Sequence, residues 1–492
     1  MPPRAFDVAS AIPRAEVPVL GMAAFRASVL DAVRSGQRLA ALFAGPEQSE
    51  RQLYAILADP DAHRLAAVST IPGDRYPALT PDCPQAHWFE REIAESSGIE
   101  PAGHPWLKPL RFNGTGAVPG VTDYFRLGGR DAHEVAVGPV HAGIIEPGHF
   151  RFQAYGEEVL HLEISLGYQH RGVERALRGG PDLRSVSYAE TLAGDTSIGH
   201  ATAYAQNVEA LAGIETPRRA EAVRALALEL ERLANHVGDL GMLSGDVGYL
   251  PTAAFCGRIR GEFLNLSATV CGSRFGRGLV RPGGTAFDVD AEMAADLLAR
   301  LDRAEADARG AVSLLWESAS VRSRFEGTGP LRADACLDLG IVGVAARAAG
   351  LPRDARADFP TGVYRRAPFI PATHRGGDVF ARATVRAQEI EASCNLVRAL
   401  LHGLQEEAAG PVLAAIGELA PDHLAVAMVE GWRGEICHVA LTDERGRFAA
   451  YRIVDPSFHN WFGLAYAMRG QAISDFPLTN KSFNLSYCGH DL

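Results

Sequence analysis

Residues Gly138–Phe152 read GPVHAGIIEPGHFRF, and Leu162–Leu177 read LEISLGYQHRGVERAL. Arg151–Ala154 and Val159–Ile164 alternate in the way of half-buried strands. Turn residues at Glu146–Gly148 and Gly156–Glu157 separate these strands from their surroundings. A period of two puts His161 and Glu163 on the same face of one strand. His133, His141, His149, His161, His170 and His200 make six of the 16 histidines within one region. The stretch predicts a small sheet dense in titratable side chains.

On the N-terminal side, Asn113–Arg130 holds six glycine or proline residues and reads as a linker, so a domain boundary is expected there. Before it, Met22–Val33 has helical spacing. Leu39–Phe43, Leu53–Leu57 and Leu65–Ile71 are short apolar runs, and Trp88–Ser97 is a second helix candidate. On the C-terminal side, Thr216 is the expected N-cap with Pro217 at the first helical position. Val223, Leu226, Leu230, Leu233 and Val237 then form one apolar stripe. Long helical patterns recur at Ala291–Glu317 and Arg382–Leu404. Strand patterns return at Leu424–Val429, Glu435–Leu441 and Phe448–Ile453. The expected fold is α+β: a small N-terminal α+β domain over residues 1–120, then a mainly helical domain over 121–492 with small peripheral sheets.

A chain of 492 residues accommodates this division. The balance of 48 basic and 59 acidic residues gives −11, which argues against a nucleic-acid partner. Seven scattered cysteines, odd in number and without a C-x-x-C pair, fit reduced intracellular thiols. No secretory signal and no segment of membrane-spanning length is read from the sequence. Glycines at 327–329 and 340–350 lack the G-x-G-x-x-G pattern after a strand, which excludes a dinucleotide fold.

Two sets of motifs carry a family resemblance. Leu79–Arg111, LTPDCPQAHWFEREIAESSGIEPAGHPWLKPLR, resembles the C-type subunit of respiratory complex I, an α+β docking scaffold without a cofactor. Gly138–Phe152 and Leu162–Leu177, with LERLANHVGDLGMLSGD (230–246), GRIRGEFLNL (257–266), VEGWRGEICH (429–438) and DPSFHNW (455–461), resemble the large subunit of membrane-bound nickel–iron hydrogenases of the formate-hydrogenlyase type. That large subunit is homologous to the D-type subunit of complex I.

The resemblance implies four thiolates in two C-x-x-C pairs, because nickel and iron need soft ligands. In the matching register those places hold Ala193, Thr196, Ser486 and Gly489. Sliding the second element makes Cys488 a ligand and Asp491 its partner, and three thiolates are still missing. The resemblance therefore implies no metal and no cofactor within this chain. The chain stops at Leu492, so the C-terminal extension that such precursors lose after nickel insertion is not expected. A separate zinc site is not expected without C-x-x-C or H-x-x-x-H spacing.

By the same resemblance, His141 and His149 are candidates for a cleft that meets a quinone or another acceptor. The tyrosine that accompanies this histidine in complex I has no match, and Leu192 lies near its register. Glu163, His170, Arg171 and Glu174 match an element lining the path toward the membrane arm. They read equally as a proton relay or as ion pairs of Arg171 or Arg175 with a carboxylate. His200 keeps the register of the first ligand element. The implied partners are an iron–sulfur small subunit of the complex I B type, antiporter-like subunits and other membrane subunits. The implied location is peripheral, on the cytoplasmic side of the inner membrane. The function read from the resemblance is an oxidoreductase subunit of the NADH-quinone oxidoreductase or hydrogenase kind. The alternative is a non-catalytic scaffold that couples a redox or transport module to the membrane subunits.

Overall fold

A computed structural model describes residues 2–46, 51–114, 116–129, 131–141, 145–367 and 369–492. Thr115 and Arg130 of the glycine-rich stretch, and residues 142–144 of the 138–152 motif, lie outside them.

The N-terminal part is a sheet backed by helices. Arg38–Ala44, Leu53–Asp59 and Arg64–Thr70 run antiparallel in that order, and Arg4–Phe6 extends the far edge. Val19–Leu20 adds a parallel contact to Arg64–Thr70. Strand Leu53–Asp59 is buried along almost its whole length because helices cover the sheet. Helix Met22–Arg34 buries Phe25, Val29 and Leu30. Helix His87–Ser97 packs on Arg38–Ala44 and ends at Gly98, whose φ of 70° is the left-handed geometry of a helix stop.

The middle of the chain is built on four long helices: Arg218–Asp246, Leu250–Cys271, Ala291–Glu317 and Val379–Glu406. The apolar stripe of Val223, Leu226, Leu230, Leu233 and Val237 is fully buried, as its spacing predicts. The same helix also buries Glu229, Arg232, His236 and Asp239, so it is enclosed on its polar side too. Its cap differs from the expectation by one residue. Pro217, with φ −56° and ψ 138°, is the N-cap and Arg218 opens the helix, because an extended ψ keeps Pro217 outside it.

Two antiparallel sheets flank the helices. One orders Glu158–Ser165, His149–Tyr155 and Ala132–Val137, with Gln153 opposite His161 and Phe150 opposite Ile164. The other orders Phe448–Val454, Glu435–Thr442, His423–Glu430 and Ser10–Pro13. Its edge strand comes from the first residues of the chain, so the two ends of the sequence share one sheet. The described part of Asn113–Arg130 holds no helix or strand and is tied down by side chains. Glu163 accepts from Phe125 N at 2.8 Å, and Gln153 accepts from Leu127 N at 3.2 Å.

Candidate functional site

The segments 193–196 and 484–489, nearly 300 residues apart in sequence, meet inside the fold. Arg433 joins them. Its guanidinium donates to Asp195 Oδ1 at 2.6 Å and Oδ2 at 2.8 Å, to Thr196 Oγ1 at 3.3 Å and to Asn484 O at 2.5 Å. Two glycines hold Arg433 in place. Gly434 has φ 144°, and a Cβ on Gly343 would lie 2.0 Å from Arg433 O, so backbone approaches backbone where no side chain fits. Arg171 closes the same seam from the other side, donating to Thr191 O at 2.7 Å, Leu192 O at 3.0 Å and Cys488 O at 3.4 Å.

Ala193, Thr196, Ser486 and Gly489 all lie buried along this seam, so the pocket that the resemblance implies is filled by protein here. Ala193 offers a methyl group. Ser486 Oγ accepts from Gly489 N at 2.9 Å and caps the short helix Tyr487–Asp491. Gly489 has no room for a side chain, since a Cβ there would sit 2.7 Å from the Asp455 carboxyl. The neighbouring thiol of Cys488 lies 3.4 Å from Ser486 Oγ, and burial and then Glu146 push it up to about 11, so it stays protonated. These residues do not fit a nickel–iron centre: the donors are hard oxygens already hydrogen-bonded to protein, and the nearest sulfur is not a thiolate. Among the described residues no group of three or more His, Cys, Asp or Glu could hold a metal ion.

The seam instead continues into a buried hydrogen-bonded chain. Asp455 accepts from Ser457 N at 2.8 Å and lies 3.0 Å from His200 Nε2. His200 Nδ1 is 3.1 Å from His438 Nε2, and His438 Nδ1 is 3.0 Å from the Tyr451 hydroxyl. Asn207 Nδ2 donates to His438 O at 3.0 Å and to Tyr451 at 3.4 Å. Both histidines are 0% exposed. Burial alone would raise the Asp455 carboxyl, yet the His200 hydrogen bond, with Arg433 nearby, holds it below the usual carboxylate range. Burial drives His438 well below the usual imidazole range, and His200 adds to that. One assignment satisfies every atom: His200 donates to Asp455, His438 donates to His200, and Tyr451 donates to His438. The opposite direction would need a protonated Asp455 and an anionic Tyr451, against the lowered Asp455 carboxyl and a Tyr451 hydroxyl that burial raises well above its ordinary range, so the chain has one direction. Asp195 is likewise held low by Arg433 against the opposing effect of burial. Gly194 is exposed and the Asp195 side chain is a third exposed, so the seam reaches the surface there.

The remaining expected residues separate into three places. His170 Nδ1 is 2.8 Å from Asp491 O, and the Asp491 carboxylate accepts from Gly167 N and Gln169 N, so this element latches the C-terminal turn. His141 is half-buried with Nε2 3.0 Å from Gly148 O, and His149 Nδ1 is 3.2 Å from Gly138 O. Glu146, between them in sequence, reaches the C-terminal turn and accepts from Tyr487 N at 3.2 Å. Burial, and less strongly Arg151, lowers His149 below the usual imidazole range. Glu163 belongs elsewhere. It accepts from Trp106 Nε1 at 3.2 Å, Lys108 Nζ at 2.7 Å and Phe125 N at 2.8 Å. Its ion-pair partner is therefore Lys108, not Arg171 or Arg175. His161 shares the Trp106 and Phe125 rings with it. Glu174 instead pairs with Arg452, which also bonds Glu92 of the WFERE helix at 3.0 Å.

Asp195, Arg433, Asp455, His438 and Tyr451 are the site residues that sequence reading leaves unassigned. Four of them lie in or beside family-like motifs (VEGWRGEICH, DPSFHNW and the first ligand element), which is the signal that marks them.

A helical core thus holds a buried polar seam closed by segments from both halves of the chain, beside an N-terminal α+β unit. The profile of the respiratory-chain NADH dehydrogenase 49 Kd subunit matches residues 246–422, and that of the 30 Kd subunit matches 27–118. Formate hydrogenlyase subunit 5 of Escherichia coli is 30% identical, over 84% of this chain and 76% of its own. The carbon monoxide-induced hydrogenase of Rhodospirillum rubrum is 30% identical over 72% of this chain and 97% of its own. The D-type subunit of the NADH-quinone oxidoreductase of Clostridium beijerinckii is 30% identical over 66% and 87%. The chain belongs to the family that unites the large subunits of membrane-bound hydrogenases with the 30 Kd and 49 Kd subunits of complex I.

Proposed function

We propose that this chain is the soluble-arm large subunit of a membrane-bound, complex-I-like oxidoreductase assembly and works there without a nickel–iron centre. The observation that carries the second half is the pocket's inventory: a methyl, two hydroxyls and a glycine overlaid by the Asp455 carboxyl where the resemblance expects sulfur. Metal analysis of the purified complex tests it, with iron from a partner cluster expected and nickel absent. Stoichiometric nickel held by this chain overturns the proposal.

Within that assembly we assign residues 1–120 to docking and 121–492 to the large-subunit body. The partners are an iron–sulfur small subunit and antiporter-like and other membrane subunits, which hold the chain peripherally on the cytoplasmic side. Among the described residues no helix is long and apolar enough to cross a membrane, which agrees with attachment through partners. The role best supported is coupling. Asp455, His200, His438 and Tyr451 form one directed, buried hydrogen-bonded chain, and Arg433 and Asp195 set the electrostatics at its Asp455 end. Disrupting Trp88–Arg111 should abolish assembly, because Glu92 and Arg111 tie this segment to Arg452 and to His490 O of the C-terminal turn.

A second reading keeps a quinone or another acceptor in the cleft. It is favoured by the exposed Gly194 and part-exposed Asp195 at the seam and by the half-buried His141, close in sequence to Glu146, which reaches the C-terminal turn. In that reading His141→Ala lowers the redox activity of the assembled complex, and unchanged activity removes it.

A further inference from the structure

The largest buried ionic cluster lies away from the pocket, where helix Arg218–Asp246 meets helix Val379–Glu406 and strand His423–Glu430. Arg347 NH1 contacts Glu430 Oε1 at 2.7 Å and Asp354 at 3.4 Å, and Arg347 also bonds Glu389 at 2.8 Å. Arg356 contacts Asp354 at 2.7 Å and Glu229 at 3.1 Å. Arg232 contacts Glu229 at 3.1 Å. None of these seven residues is more than 3% exposed. Three arginines face four carboxylates, so full ionisation leaves one uncompensated negative charge among buried side chains, and such a charge is costly.

One proton removes that charge, and the hydrogen bonds indicate where it goes. Glu229 is met by Arg232, Arg356, Ser393 and the Tyr364 hydroxyl. Asp354 is met by two arginines, and Glu389 by Arg347 and by His236 at 2.7 Å. A second proton on His236 would sit on Nδ1, which is buried with no partner. Glu430 has the weakest claim on the arginines: it shares Arg347, and its other oxygen accepts only Ala355 N at 2.9 Å. Glu435, its cross-strand partner, adds negative charge and is tied to Arg38. Burial first, and Asp354 next, push the Glu430 carboxyl up to about 7, against Arg347, Arg232 and Arg356.

Two clefts meet at this residue. One, of about 460 Å³, is lined by Gln206, Thr361 and Tyr364. The other, of about 360 Å³, is lined by Gln37, Asp358 and Glu435. Glu430 and Ala355 border both, and each cleft is large enough for several waters.

We propose that Glu430 is a proton-transfer site that exchanges with water in both clefts and lets a proton cross this subunit. A proton from water in one cleft neutralises the carboxylate, and the acid releases it to water in the other. The inference concerns this chain alone and stands whichever acceptor the complex uses.

Infrared spectroscopy of the full chain tests it. A carboxylic-acid carbonyl band should disappear as pH rises through about 7, and Glu430→Gln should lack that band. Hydrogen–deuterium exchange of the band should stay fast in Gln206→Trp, which fills one cleft, and in Gln37→Trp, which fills the other. Exchange should slow by about tenfold or more in the double variant. Glu231 and Asp358 also keep protons into this range, so the assignment rests on the difference between wild type and Glu430→Gln, and a difference spectrum with no carboxylic-acid band lost overturns it. Slowing by one single variant as large as in the double variant overturns the two-sided exchange. Far-ultraviolet spectra of each variant establish that it is folded.

Discussion

Two buried polar systems lie within this fold, and they are built differently. The pocket chain links Asp455 to Tyr451 through two histidines, one hydrogen bond at a time. The cluster around Arg347 gives most of its members two or more oppositely charged neighbours. A linear hydrogen-bonded chain passes a change at one end to the other, because each bond orients the next donor. A charge cluster is locked by its own Coulomb energy, except at the one acid in excess. The first is suited to relaying a change, and the second to fixing the helices that carry it.

The largest effect should come from the locked system. Arg347→Met leaves Asp354, Glu389 and Glu430 short of a shared cation, and a loss of about 4 kcal/mol is expected. Denaturant unfolding, or recovery of folded complex, measures it. A loss below that of the pocket variants would break the contrast. In the pocket, His200→Ala strips one hydrogen bond from Asp455 and one from His438, with an expected cost of about 3 kcal/mol. Gly489→Ala places a Cβ against the Asp455 carboxyl and should cost about 2 kcal/mol, because a packed carboxylate must shift. A neutral effect there would mean that the turn can move away from Asp455.

The most diagnostic effect is in pH dependence. Glu231 accepts from Ile198 N and Gly199 N at the start of helix Ser197–Ala212, and burial pushes it up to about 8. The folded chain therefore keeps a proton that the unfolded chain releases. Stability should fall as pH climbs from the ordinary carboxylate range to about 8, then level off. Glu231→Gln should flatten this slope. Glu229 behaves oppositely: burial opposes, but Arg232 and Arg356 bring it down to about 2. Its contribution is lost as pH falls from the ordinary carboxylate range to that value.

Local spacing disclosed the elements well. Helix Ala291–Glu317 matches its sequence pattern end to end, and the strands at Arg38–Ala44, Leu53–Asp59 and His423–Glu430 fall within a residue or two of their apolar runs. The pairings were not legible. His200 and His438 are 238 residues apart, and no pattern on either announces the other. The polar face Glu229, Arg232, His236 and Asp239 has helical spacing, but an isolated sequence cannot say that a solvent-like face is enclosed by other elements. Glu163 takes Lys108, one of the chain's two lysines, across 55 residues of intervening chain. Apolar periodicity reports burial, whereas partner choice depends on tertiary approach.

The sheet shared by the two ends of the chain sets an order on biogenesis. Ser10–Pro13 is made early, but its neighbour His423–Glu430 arrives only after more than 400 further residues have been made. Throughout that interval the early strand has an unsatisfied hydrogen-bonding edge, the kind of surface that chaperones shield and that pairs wrongly with other chains. A ribosome that stalls in the middle of the message would release a product whose N-terminal unit lacks this anchor. Such a product would keep an open strand edge for as long as it persists.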